Sequence, residues 1–158
     1  MLPRFVVASL FLVAPLCASA ATDIVHVWPA YRDGESFRRI SEYVGSGNEN
    51  TGREITVRSQ PDNRDGYYFL TRLKSDQAHT GATILLEVVL PGSPAVHTFR
   101  FPADIPAGQQ VFQLGVTGTD WPGAESRPAA WRVSTQTADG SILTARASFL
   151  WSSAAAAR

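Results

Sequence analysis

The stretch Ala130-Trp131-Arg132-Val133-Ser134-Thr135-Gln136-Thr137-Ala138-Asp139-Gly140-Ser141-Ile142-Leu143-Thr144-Ala145-Arg146-Ala147-Ser148-Phe149-Leu150-Trp151 holds two alternating runs on either side of an Asp-Gly pair. That is the pattern of an antiparallel hairpin. Trp131, Val133 and Thr135 share one face of the first run, and Leu143, Ala145, Ala147, Phe149 and Trp151 share one face of the second. Both faces point inward only if the loop between them has an odd number of residues. A two-residue Asp139-Gly140 turn breaks that match. A three-residue Ala138-Asp139-Gly140 loop keeps it and puts glycine where such loops need the left-handed conformation. On this reading Trp131 faces Ala147 and Val133 faces Ala145, large against small.

The same alternation runs back along the chain. Ile84, Leu86, Val88 and Leu90 share a face; Phe99 and Phe101 lie opposite Arg100; Phe112, Leu114 and Val116 lie opposite Gln113. Over Gly66 to Lys74 both faces are apolar, with Tyr67, Phe69 and Leu73 on one and Tyr68 and Leu70 on the other, which predicts a central strand covered twice. Further strands are expected over Ile24 to Trp28 and Glu54 to Gln60, with turn-forming residues such as Gln60-Pro61-Asp62-Asn63-Arg64-Asp65-Gly66 between runs. Short strands at this spacing make the chain all-β, a sandwich or a barrel. The exception is Glu35 to Val44, where Phe37, Ile40 and Val44 recur at three and four residues before Gly45. That spacing predicts one short N-terminal helix, with an edge strand as the alternative because Phe37 and Tyr43 also match in parity.

From Glu54 to Trp151 the chain resembles, at the level of fold, the immunoglobulin-like and fibronectin-type antiparallel β-sandwiches found as exported bacterial domains. The resemblance is carried by Ala130-Trp131-Arg132-Val133, the Ala138-Asp139-Gly140 loop and Ser148-Phe149-Leu150-Trp151. The antibody pattern of two cysteines around a core tryptophan is absent, and the segment from Trp28 to Val44 falls outside the resemblance. A sandwich does not by itself name a function.

Export is read from the start of the chain. Arg4 precedes an apolar run from Phe5 to Cys17, and Ala18-Ser19-Ala20 follows, small residues of the kind a signal peptidase accepts. Residues 1–20 are therefore expected to be a cleaved signal peptide, since the run is shorter than the roughly 20 apolar residues a membrane span needs. Cys17 is preceded by Leu16 rather than by the small residue an acylated cysteine usually follows. Residues 21–151 are expected to form a single domain, periplasmic or extracellular, with a frayed Ser152 to Arg158 tail. Cys17 is the only cysteine, so no intramolecular disulfide forms and packing supplies the stability. Without Arg4 the chain has thirteen basic and fourteen acidic residues and no like-charge run longer than Arg38-Arg39, which argues against nucleic acid and against membrane insertion after signal cleavage.

The chemistry-bearing residues are sparse. His26, His79 and His97 show no metal-ligand spacing; His97 has the parity of Phe99 and Phe101 and is expected partly buried, and His79 in an exposed loop. If Gly66 took the turn position of a calcium loop, its first and last ligand positions would fall on Pro61 and Arg72, neither of which supplies a carboxylate. No serine elbow or cysteine nucleophile with an activating histidine is present, so neither an enzyme, a cofactor nor a metal is expected. What stands out is the concentration of Trp28, Tyr31, Arg32 and Arg38 before the sandwich, side-chain types suited to a ligand surface, or to sealing one end of the core with the arginines paired to Glu35 and Glu42. Trp121-Pro122-Gly123 is a second aromatic loop of the same kind. The resulting expectation is a non-catalytic binding or structural protein whose partner is an envelope protein or a glycan. A carbohydrate-binding role is the alternative, and a hydrolase stands third.

Overall fold

The computed structural model describes residues 21–37 and 54–151, and within them the alternating runs become eight strands: β1 (Thr22–Arg32), β2 (Glu54–Arg58), β3 (Gly66–Ser75), β4 (Thr83–Val89), β5 (Val96–Pro102), β6 (Gly108–Thr117), β7 (Ala130–Gln136) and β8 (Ile142–Ala147). They make two four-stranded sheets, ordered β1-β3-β6-β2 and β5-β4-β7-β8. Every pairing is antiparallel except β2 with β6, which is parallel. The signal segment and the C-terminal tail expected from the sequence lie outside the described residues. Of the helix expected over Glu35 to Val44, the described part is the end of a 3-10 turn, Gly34–Phe37; the remainder lies outside the described residues.

One face of each sheet meets the other in a single apolar core. Phe69 of β3 with Phe112 and Leu114 of β6 come from the first sheet, and Ile84 and Leu86 of β4 with Val133 of β7 come from the second; all six are fully buried. Removing such side chains from water stabilises the fold by about 1.5–3 kcal/mol each, and in a chain without a disulfide this burial is the main term. As its two apolar faces require, β3 lies between β1 and β6, with Tyr67, Phe69 and Leu73 inward and Tyr68 buried on the opposite face.

Of the two roles open to the Trp121-Pro122-Gly123 loop, ligand surface or core seal, the indole takes the second. Trp121 is 5% exposed. Its indole stacks on Tyr67 with ring centroids 4.6 Å apart, and Nε1 donates to the Gly123 carbonyl at 2.9 Å. A ring this large, with its one donor satisfied locally, closes the end of a sandwich well. Burial also raises the pKa of the Tyr67 phenol, against the opposing pull of Arg127.

The closing hairpin turns as its sequence demands, yet its register differs. Thr137 N donates to Ser141 O at 3.0 Å, enclosing Ala138-Asp139-Gly140, and Gly140 has φ +89°. Asp139 Oδ1 accepts from the Thr137 hydroxyl and from Ser141 N, and these bonds, led by that of Thr137, hold its carboxyl below the usual pKa. Beyond the loop, Gln136 pairs with Ile142 but Thr135 pairs with Thr144, so Leu143 is an extra residue, a β-bulge. A one-residue shift reverses the faces of everything after it. Arg132 therefore pairs with Ala147 and Ser134 with Ala145, while Trp131 meets Ser148 through bonds of 2.9 and 3.0 Å. Ala145 and Ala147, expected inward, are exposed; Arg146 pairs with Val133 on the side of the other sheet and is itself exposed.

That inversion has a structural use. Arg146 Nη1 reaches β1 of the other sheet and donates to the carbonyls of Ile24 and Val25 at 3.0 and 2.6 Å. Val25 is itself the extra residue of a bulge, since Ile24 pairs with Leu73 and His26 with Arg72. A bulge disrupts the ladder locally, and a guanidinium is a side chain that can bond two carbonyls at once. Replacing Arg146 by Ala should lower stability in urea denaturation by about 1–2 kcal/mol, as expected for charge-assisted bonds to backbone, with the denaturant slope unchanged; an unaltered midpoint would show that β1 and β8 are held without it.

Candidate ligand-binding face

On the outer face of the β1-β3-β6-β2 sheet, cross-strand registers set three rows. Ala30, Tyr68, Gly115 and Arg58 form one; Trp28, Leu70, Gln113 and Thr56 the next; His26, Arg72, Val111 and Glu54 the third. Alternation places all of them on the side away from the core.

The first row is covered. Gly34–Phe37 folds back over it, with Asp33 accepting from Ser36 N at 2.9 Å and from the Ser36 hydroxyl at 2.6 Å, which holds the Asp33 carboxyl below its usual pKa. Gly34 N donates to Asp65 Oδ1 at 2.5 Å, tying this turn to the β2–β3 loop. Phe37 then lies on Tyr68 with centroids 4.8 Å apart, between the guanidinium groups of Arg58 at 5.1 Å and Arg32 at 5.7 Å. Beneath it, Arg58 Nε donates to the Tyr68 oxygen at 2.8 Å, and that hydroxyl donates to the Arg64 carbonyl at 2.7 Å. In the next row Gln113, 4% exposed, accepts from Arg32 Nη1 at 3.1 Å and donates to the Glu54 carboxylate. These buried polar groups are paired, as burial requires.

Glycine at 115 is what lets Tyr68 lie flat. A Cβ there would sit 2.5 Å from Cε1 of the Tyr68 ring, and the backbone of Gly115 is otherwise ordinary. Gly115→Ala should therefore cost about 1–3 kcal/mol of stability by overpacking, read from the thermal midpoint, and adding Tyr68→Leu should recover part of the loss. Additive losses in the double variant would remove the steric explanation.

The other end of the face is open. Trp28 is 41% exposed, its indole 4.0 Å from the His26 ring centroid and under the Arg72 guanidinium at 5.1 Å. Such a contact is worth about 0.5–1 kcal/mol at an exposed site, enough to orient the ring and too little to hide it.

The four candidates from the sequence thus take different places. Trp28 is the exposed aromatic, Tyr31 turns inward opposite Tyr67 and packs on the core, and Arg32 bonds Gln113 and stands over Phe37. Arg38 lies outside the described residues. Sequence reading missed His26 and Arg72 as neighbours of Trp28; His26 has the parity of Trp28, but the partner from β3 emerges only once the bulge at Val25 sets the register.

Shallow clefts also lie among the described residues away from Trp28. One of about 310 Å³ runs between β2 and β5, lined by Val57, Arg58, Arg100 and Phe101 among others. Another, of about 350 Å³, is lined by His97, Phe99, Thr119 and Asp120 with Leu90 and Pro122. His97, expected partly buried, is exposed there, on the edge strand β5. His79, expected in an exposed loop, is half-buried: it bridges to Ile105, and its Nε2 lies 3.1 Å from the Thr22 hydroxyl. Among the described residues no three His, Cys, Asp or Glu side chains converge as metal ligands. No protein-family model matches the chain, and no curated protein is similar to it in sequence.

Proposed function

We propose that this is an exported, non-catalytic binding protein with an immunoglobulin-like sandwich, and that it engages a protein partner of the cell envelope through the open half of its outer β1-sheet face. Strand order supports the fold part of the reading. The sequence β1-β3-β6 in one sheet and β5-β4-β7-β8 in the other corresponds to strands A-B-E and C′-C-F-G of that family of sandwiches. The departure is β2, which lies parallel to β6 where an antiparallel D strand is usual.

The observation that carries the functional reading is the exposed indole of Trp28 with Arg72 and His26 against it. Trp and Arg are the residues that most often dominate protein interfaces, and an indole held by its neighbours loses little freedom on binding. A protein partner is favoured over the glycan alternative because a sugar stacks on free ring surface, and here a guanidinium and an imidazole already occupy part of it.

Trp28→Ala should lower the thermal midpoint by only a few degrees, the scale of its contact with Arg72, because the ring is no part of the core, and should weaken partner binding by at least about thirtyfold, the equivalent of 2 kcal/mol. The measurement is affinity capture from a detergent extract of the envelope on immobilised parent and variant, beside a glycan array probed with both. One envelope protein retained by the parent and lost by the variant supports the proposal. Equal capture by the two, or Trp28-dependent binding to the array alone, contradicts it.

A further inference from the structure

We infer that hydrolysis of the Ala20–Ala21 bond creates an α-ammonium group that is received by the carboxylate of Asp76, so that export processing completes the edge of the sandwich. The receiving site is visible in the fold. Ala21 N lies 3.2 Å from Asp76 Oδ2, and Asp76 N donates back to Ala21 O at 3.0 Å. This reciprocal pair stands one step beyond Thr22 and Ser75, the last pair of the β1–β3 ladder.

The surroundings are fixed. The Thr22 hydroxyl meets Ser75 Oγ at 2.8 Å and His79 Nε2 at 3.1 Å, Ser75 Oγ donates to the Gln77 carbonyl at 2.7 Å, and His79 exchanges backbone bonds with Ile105. These bonds fix the backbone on either side of Asp76, whose own N–H is tied to Ala21 O, while its carboxylate stays exposed to receive a charge. While residue 20 is attached, Ala21 offers this carboxylate one neutral N–H. In cleavage by a signal peptidase, water adds its hydroxyl to the Ala20 carbonyl carbon and a proton to Ala21 N as the C–N bond breaks. The amine released takes up a further proton, since its ordinary pKa is about 7.7–8.0 and a carboxylate within about 4–6 Å favours the charged form. A neutral hydrogen bond becomes a charge-assisted one at the same place.

Two observations converge independently on residue 21: the Ala18-Ser19-Ala20 sequence that a signal peptidase accepts, and a carboxylate already seated on the next nitrogen. The inference does not depend on what the outer face binds.

Its test compares the exported protein with a leaderless form made in the cytosol and beginning at Ser19, each with and without Asp76→Asn. The exported protein should have the intact mass of residues 21–158. In it, Asp76→Asn should lower the melting temperature by roughly 1–4 °C, the scale of one exposed ion pair in a domain of this size, and should speed amide exchange over Thr22 to Val25 several-fold. In the extended form the same substitution should change neither by more than a small fraction of that. A mature mass beginning elsewhere, or full-length chain kept in the membrane, overturns the processing half; equal effects of Asp76→Asn in both forms overturn the ion-pair half.

Discussion

Two bulges meet at one guanidinium. The extra residue Leu143 turns Arg146 to the inner side of β8, and the extra residue Val25 leaves the end of β1 with carbonyls turned out of the ladder. Arg146 joins the two across the gap between sheets. Each irregularity alone would leave a guanidinium without a protein partner or carbonyls facing solvent, at an edge where Arg146 and Val25 are both exposed. Together they cancel, and the relative placement of the two sheets is held on that side by a polar contact rather than by a disulfide, which a chain with one cysteine does not form.

The consequences run through to the candidate face. The bulge at Val25 lets Ile24 and Val27 both point into the core, three residues apart, and sets His26 opposite Arg72. Trp28 thereby acquires its imidazole and guanidinium neighbours from the two adjacent strands. At the other end of the same face, the turn at Gly34–Phe37 covers Tyr68 and brings Arg32 and Arg58 to Phe37. One sheet face is in this way divided into a covered half, where Tyr68, Arg58, Arg32, Gln113 and Glu54 bond one another, and an open half with an aromatic ring. The covered half draws on Arg32 and the core on Tyr31, which explains why neighbours in sequence do not share a role.

Much of this fold was legible in side-chain alternation, because burial of one face imposes a period of two that few other constraints disturb. Ile84, Leu86 and Val88, or Phe112, Leu114 and Val116, point inward as their spacing requires. Tyr67 to Leu73, apolar on both faces, occupies a central position, and the Ala138-Asp139-Gly140 loop has the predicted length. The register of β8 was not legible. Leu143, Ala145 and Ala147 read as one inward stripe, and nothing in local composition marks Leu143 as a bulge; the contact that goes with it joins Arg146 to a carbonyl pair more than a hundred residues away in sequence. Trp121 stayed undecided for a related reason, since a Trp-Pro-Gly loop can face solvent or seal a core until the stacking partner Tyr67 is known. For the candidate site, only the presence of Trp28 was readable; its setting depends on cross-strand neighbours.

If the Arg146 tie between bulges governs the molecule, the edge it closes should open less readily than the edge it does not. Native-state hydrogen exchange measured amide by amide reads this directly, because local opening energies separate from global unfolding. Ladder amides of β1 near Val27 and of β8 near Thr144 should exchange only with opening close to the global free energy, whereas those of β5, at the other margin of its sheet, should exchange through smaller openings. Fast exchange in β1 and β8 with full protection of β5 would contradict it.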